Sequence, residues 1–141
     1  MAGKWIVLMM VCLGTWMDIK TRTIGGWFFL VFGVIGLFFV CIQERQLKEW
    51  MLSSLAGIIL LLFSRMSGGE IGEGDGWFFV ITGLFLNPYE NIWLFVSGLG
   101  LCIFTGLLLV VNSLWKGIGC RKLRLPFLPF LLPGSVCLAF F

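Results

Sequence analysis

Residues 92–114 read IWLFVSGLGLCIFTGLLLVVNSL, 23 residues without a charge. About 20 apolar residues carry an α-helix across the hydrocarbon core of a bilayer, so this stretch alone predicts a membrane-spanning helix. Working outward, charges and helix breakers separate five further apolar stretches, at 5–17, 26–42, 50–66, 76–86 and 127–141. Stretches 26–42 and 50–66 meet the length requirement. The first meets it if its helix continues through Asp18 to about Lys20. The last must run to the C-terminus, with Pro126, Pro129 and Pro133 distorting its first turns. Stretch 76–86, eleven residues, is more typical of a re-entrant or buried segment than of a full span, and adding part of the glycine-rich run before it would place Asp75 inside the helix. The expected fold class is therefore all-α: a polytopic membrane bundle of about six transmembrane helices with a short fourth helix.

Composition agrees. The chain is 60% hydrophobic and 12% charged, with a mean hydropathy of +1.05, far from the values of a water-soluble domain. The connecting loops are too short to enclose a core of their own, so residues 1–141 are expected to form a single membrane-embedded domain. Lys4 precedes the first apolar run, but no small-x-small cleavage site follows, and the run is kept as a span. The net charge of +3 gives no argument for nucleic acid, because the basic residues sit at segment ends. With the N-terminus outside, the cytoplasmic side holds Lys20, Arg22, Arg65, Lys116, Arg121, Lys122 and Arg124, and the outside holds Lys4, Arg45 and Lys48. That is the positive-inside arrangement. The five cysteines are scattered, no CxxC pair occurs and histidine is absent, which argues against a zinc or redox site.

The chain has only two aspartates, Asp18 and Asp75. An acid near the membrane plane is costly, and marks a functional site by default. Under six spans, Asp18 closes the first helix and Asp75 opens the fourth, so both face the cytoplasm at the same depth. Each has a bland alternative. Asp75 could be the N-cap of the fourth helix, and Asp18 a solvated acid in a turn with Lys20 and Arg22. Their matching positions favour a pair. Glu70 and Glu73 read as solvated loop acids. Trp5, Trp27, Trp50, Trp77 and Trp93 fall at segment ends, the interfacial belt position. Gly33, Gly36, Gly98, Gly100 and Gly106 are expected to allow close helix packing.

Three short motifs carry a resemblance. Gly72-Glu73-Gly74-Asp75 matches the GxGD motif of intramembrane aspartic proteases. The stretch from Met17-Asp18 to Thr23-Ile24 resembles the "Asp, basic turn, Ile-Pro" element of the type IV prepilin peptidases, with Gly25 in place of the proline. Arg124-Leu125-Pro126-Phe127-Leu128-Pro129-Phe130 is similar to the Pro-Phe-x-Pro element opening that family's last helix. A Val-Lys pair is common after the family's GxGD aspartate, and Gly76-Trp77 stands here instead. The resemblance implies Asp18 and Asp75 as catalytic residues, with Gly72, Gly74 and Pro126 supporting the motifs. It further implies a peptidase-only minimal form, because bifunctional members carry a cysteine-rich N-terminal extension; no methyltransferase activity is expected.

Two carboxylates held close do not both ionise easily. One acts as general base on a water while the protonated one donates to the scissile carbonyl. No metal, cofactor or covalent intermediate is called for. The implied substrate is a prepilin-like membrane protein with a short basic leader, cleaved at the cytoplasmic face of the inner (cytoplasmic) membrane. The expected partners are that substrate and the lipid bilayer. Oligomeric state stays open, since glycine-lined faces serve packing within a chain or between copies. Two rivals remain: a small transporter or ion-translocating subunit using the acids, and a non-catalytic membrane assembly protein.

Overall fold

Each of the six apolar stretches forms a helix. The computed structural model describes residues 2–21, 24–43, 46–66, 72–116 and 127–140. In chain order the helices are α1 (Ala2–Thr21), α2 (Gly26–Ile42), α3 (Leu47–Met66), α4 (Glu73–Phe85), α5 (Pro88–Lys116) and α6 (Leu131–Phe140), the last preceded by a 3₁₀ turn, Leu128–Phe130. There is no strand among the described residues. Helix α1 runs through Asp18, as its length requires. Helix α2 has the expected bounds, but its 17 residues are at the lower limit for a span. Three helices are long and apolar enough to cross a bilayer: α1, the segment Lys48–Met66 of α3, and the segment Pro88–Ser113 of α5. Large apolar side chains point outward, as in Phe38 at 69% and Leu107 at 62% exposure, a pattern suited to lipid rather than water.

Helix α4 is the centre of the bundle and is packed by α3 most extensively, then by α2, α1 and α5. Glycines fix its register against α3. A methyl group at Gly76 would stand 2.7 Å from Leu61 Cγ, one at Gly57 would strike the backbone of Val80, and one at Gly83 would stand 2.7 Å from the backbone nitrogen of Ser54. Stepping from Leu61 to Gly57 to Ser54 along α3 thus matches stepping from Gly76 to Val80 to Gly83 along α4, an antiparallel pair with backbones in close approach. Gly36 of α2 admits Leu84, and Gly98 of α5 admits Leu131. Gly33 and Gly100, expected to pack closely, face open space, with nothing within 4 Å of an added Cβ.

The same kind of contact gives the direction of the other helices. Along α1 from Gly3 to Gly14, the neighbour on α4 moves back from Phe85 to Phe78, so these helices are also antiparallel. The rings of Phe79 and Phe95 lie 5.2 Å apart, and Asn91 meets Thr82. Gly98 meets Leu131 while Gly134 meets Leu94, so α6 runs back along α5. All six helices alternate in direction. Helix α4 runs in one direction without turning back on itself, and the ends of α1, α3 and α5 lie with the start of α4.

At about 1.5 Å per residue, the 13 residues of α4 rise only about 20 Å, some 10 Å short of a hydrocarbon core of about 30 Å. Irregular backbone at that depth is tolerated only when protein groups satisfy it, and they do. Ser53 Oγ donates to the Leu86 carbonyl at 3.0 Å, and the Asn87 N–H donates to Glu90 Oε2 at 3.0 Å. Asn91, fully buried, donates through Nδ2 to the carbonyls of Ser53 at 2.8 Å and Phe79 at 3.2 Å, and accepts at Oδ1 from Thr82 Oγ1 at 2.8 Å. One side chain therefore ties α3, α4 and α5 together where α4 ends.

Candidate active site

Asp18 lies near the end of α1, in line with the buried row Val7, Val11 and Gly14. Glycine at position 14 makes the surrounding contact possible. A methyl group there would stand 2.6 Å from Leu128 Cδ2, 3.6 Å from Phe28 Cζ and 3.8 Å from Phe78 Cε2. Its absence seats the Leu128 side chain, which is 1% exposed, against α1 at the start of the 3₁₀ turn. One turn further on, the Leu128 backbone N–H donates to the Asp18 carboxylate. An N–H at the beginning of a helical turn has no partner within its own helix, so the carboxylate takes a donor that would otherwise be unpaired.

Asp75 is the third residue of α4, whose first turn holds Glu73 and Asp75, favoured by the helix dipole. The N-cap is Gly72, in extended conformation, so Asp75 is not the cap that the simplest sequence reading allows. The Asp75 N–H instead donates to the Gly72 carbonyl at 3.1 Å. The carboxylate folds back over Gly72, with Oδ2 3.3 Å from where a Cβ at position 72 would be. The two motif glycines differ in this respect. At Gly74 an added methyl would make only ordinary contact, 3.7 Å from Ile24 Cδ1 and 3.8 Å from Phe29 Cζ.

Register brings the two acids to one level. Gly14 and Phe78 are neighbours across α1 and α4. Asp18 follows Gly14 by four residues and Asp75 precedes Phe78 by three, displacements of about 6 and 4.5 Å toward the same end of the bundle. The two carboxylates lie within electrostatic reach of each other, and the Cys102 thiol of α5 lies within reach of Asp75. Both acids are half-buried. Pro126 lies outside the described residues, as do Glu70, Arg22, Arg45, Arg121, Lys122 and Arg124.

A groove of about 710 Å³ lies elsewhere. It runs between α2 and α3 over the α4 face bearing Glu73, Gly74, Trp77, Val80, Ile81 and Leu84. At about 100° per residue, Asp75 projects roughly 160° away from the centre of that face. Asp75 shares its side of α4 with Phe78, Phe79 and Thr82, all buried. Sequence reasoning missed Leu128 as a donor, Cys102 as a neighbour of Asp75, and Thr15, a buried hydroxyl one turn before Asp18. For Thr15 the signal was present: it is a polar residue at helical spacing from Asp18 inside an apolar run.

A model of the type IV leader peptidase family matches residues 5–111, a range that contains both aspartates and ends before Leu128. No curated protein and no solved structure matches the chain.

Proposed function

The chain belongs to the type IV leader peptidase family, and from that premise we propose that it is an aspartic endopeptidase whose working pair is Asp18 and Asp75. The observation that carries the reading is the common level of the two acids on facing sides of α1 and α4, within electrostatic reach. One carboxylate, ionised, takes a proton from a water as that water attacks the scissile carbonyl carbon. The other, protonated, donates to the carbonyl oxygen, and the proton positions reverse as the amine leaves. The pair titrates as a unit, so neither residue holds the base role by itself. The Leu128 N–H keeps the Asp18 carboxylate oriented through this cycle. A serine or cysteine nucleophile paired with histidine is excluded, since the chain has no histidine.

The substrate is a prepilin-like protein: a short basic leader followed by an apolar helix, cut at their junction. The acids' end of the bundle faces the cytoplasm of the inner membrane, which is supported by Lys20 and Arg65 near that end and by the basic segment between α5 and α6. A site at the membrane edge suits such a junction. The test is co-expression of a prepilin with the wild type, Asp18→Asn or Asp75→Asn, reading the substrate's mass. Wild type removes the leader and neither variant does so. Cleavage by either correctly inserted variant would overturn the pair.

A further inference from the structure

We propose that Thr15 is a positioning residue of this site, its hydroxyl, unpaired in this structure, turning to become the second hydrogen-bond partner of the Asp18 carboxyl group when that group carries the proton; this rests on the peptidase reading of Asp18. Thr15 Oγ1 is the one buried side-chain oxygen or nitrogen without a hydrogen-bond partner among the described residues, in a residue only 6% exposed. Three other helical threonines are not left in this state. Thr21 donates to the Met17 carbonyl at 2.8 Å and Thr105 to that of Leu101 at 2.8 Å. Thr82 donates to Asn91. Leaving a buried hydroxyl unpaired is unfavourable, and such a group calls for an explanation in function.

Its position supplies one. Residues three apart on a helix are neighbours, with Cβ atoms about 5–6 Å from each other. A helical side chain leans over the turn that precedes its own Cα, so the Asp18 carboxyl group leans over the turn holding Thr15. The chemistry also fits. In the reaction Asp18 alternates between a carboxylate, which only accepts, and a carboxylic acid, which also donates. The Leu128 N–H can only donate, and so serves the ionised form. A hydroxyl both donates and accepts, so Thr15 can follow the proton and hold the acid form as well. The two partners come from different elements, and together they keep Asp18 in one orientation through both protonation states.

The experiment compares Thr15→Val and Thr15→Ser in the full chain, reconstituted in lipid with a leader-bearing substrate. Thr15→Val lowers kcat about tenfold, the size expected for one hydrogen bond lost in the transition state, with KM unchanged. Its thermal unfolding midpoint in the resting state is equal to or above wild type, since the hydroxyl has no partner there. Thr15→Ser restores kcat. Infrared difference spectra against Asp18→Asn identify the Asp18 carboxylic C=O band, which shifts in Thr15→Val and returns in Thr15→Ser. If valine prevents folding, Thr15→Ala removes the hydroxyl without added bulk and takes its place. Wild-type kcat in the folded hydroxyl-free variant, or an unmoved band, would overturn the proposal. A wild type that cleaves no leader while the band still shifts would overturn the peptidase reading and support the Thr15 contact.

Discussion

Asn91→Ala tests whether the polar clamp at the end of α4 holds the bundle together. Asn91 makes three side-chain hydrogen bonds, to the carbonyls of Ser53 and Phe79 and from Thr82 Oγ1, all at a site with no exposed surface. Interhelical hydrogen bonds in membrane proteins contribute roughly 0.6 kcal/mol each on average, with about 1.7 as an upper value. Three such bonds give about 2 kcal/mol, and the small cavity left by alanine adds to this. A loss of about 2 kcal/mol lowers the folding equilibrium constant roughly 30-fold. Thr82→Val loses one bond of the set and should cost about 0.6–1 kcal/mol. The two changes share that bond, so the double variant should fall short of the sum by about 0.6 kcal/mol. The assay is reversible unfolding in mixed micelles with increasing denaturing detergent, followed by circular dichroism. Thr82 follows Asp75 by seven residues, about 10 Å along α4, so leader cleavage per folded molecule stays near wild type. A loss below about 0.5 kcal/mol for Asn91→Ala, or strict additivity with Thr82→Val, would refute the clamp.

Other predictions follow from the glycines and the ion pair. Gly57→Ala drives a methyl into the Val80 backbone and should cost about 1–3 kcal/mol. Gly33→Ala, with open space around it, should be neutral or stabilising by up to about 1 kcal/mol, as read by the same unfolding assay. Gly72→Ala presses on Asp75 Oδ2 from 3.3 Å and should lower kcat about tenfold, by analogy with the steep effect of small misplacements. Gly74→Ala, making only ordinary contacts, should stay close to wild type in a cleavage time course. The Lys4 Nζ–Glu90 Oε1 pair at 3.2 Å is mostly but not fully buried. Lys4→Met should cost at most about 1 kcal/mol, and the difference should shrink at high salt.

Much of the fold was legible because hydropathy alone sets it. The 23-residue run at 92–114 required a span, and α5 extends it to Lys116. Requiring a full crossing correctly carried α1 past Asp18. Alternation of six segments then put both aspartates at one end. The start of α4 was harder to read, because a run of glycines has poor intrinsic helix propensity. Packing overrides that preference here: Gly76 lets Leu61 against the helix, and Gly83 does the same for Ser54. The bond network of Ser53, Thr82 and Asn91 was invisible in sequence, since isolated polar residues in apolar runs give no sign of which neighbours they meet. Gly33 and Gly100 were misread for the same reason: small residues permit close contact but do not say which face receives it. At the candidate site, the acids stood out by their rarity. Leu128 did not, because it contributes a backbone N–H, a group every non-proline residue has.

The most direct test of the central claim is whether Asp18 and Asp75 act as one catalytic unit. Leader cleavage rates would be measured for Asp18→Asn, Asp75→Asn and the double variant, each purified in lipid and confirmed as folded. Groups that work as a unit are strongly non-additive. The account predicts that each single variant loses about a thousandfold or more in kcat, and that the double variant is no slower than either single one. Independent, multiplying losses, or near wild-type cleavage in one single variant, would contradict it.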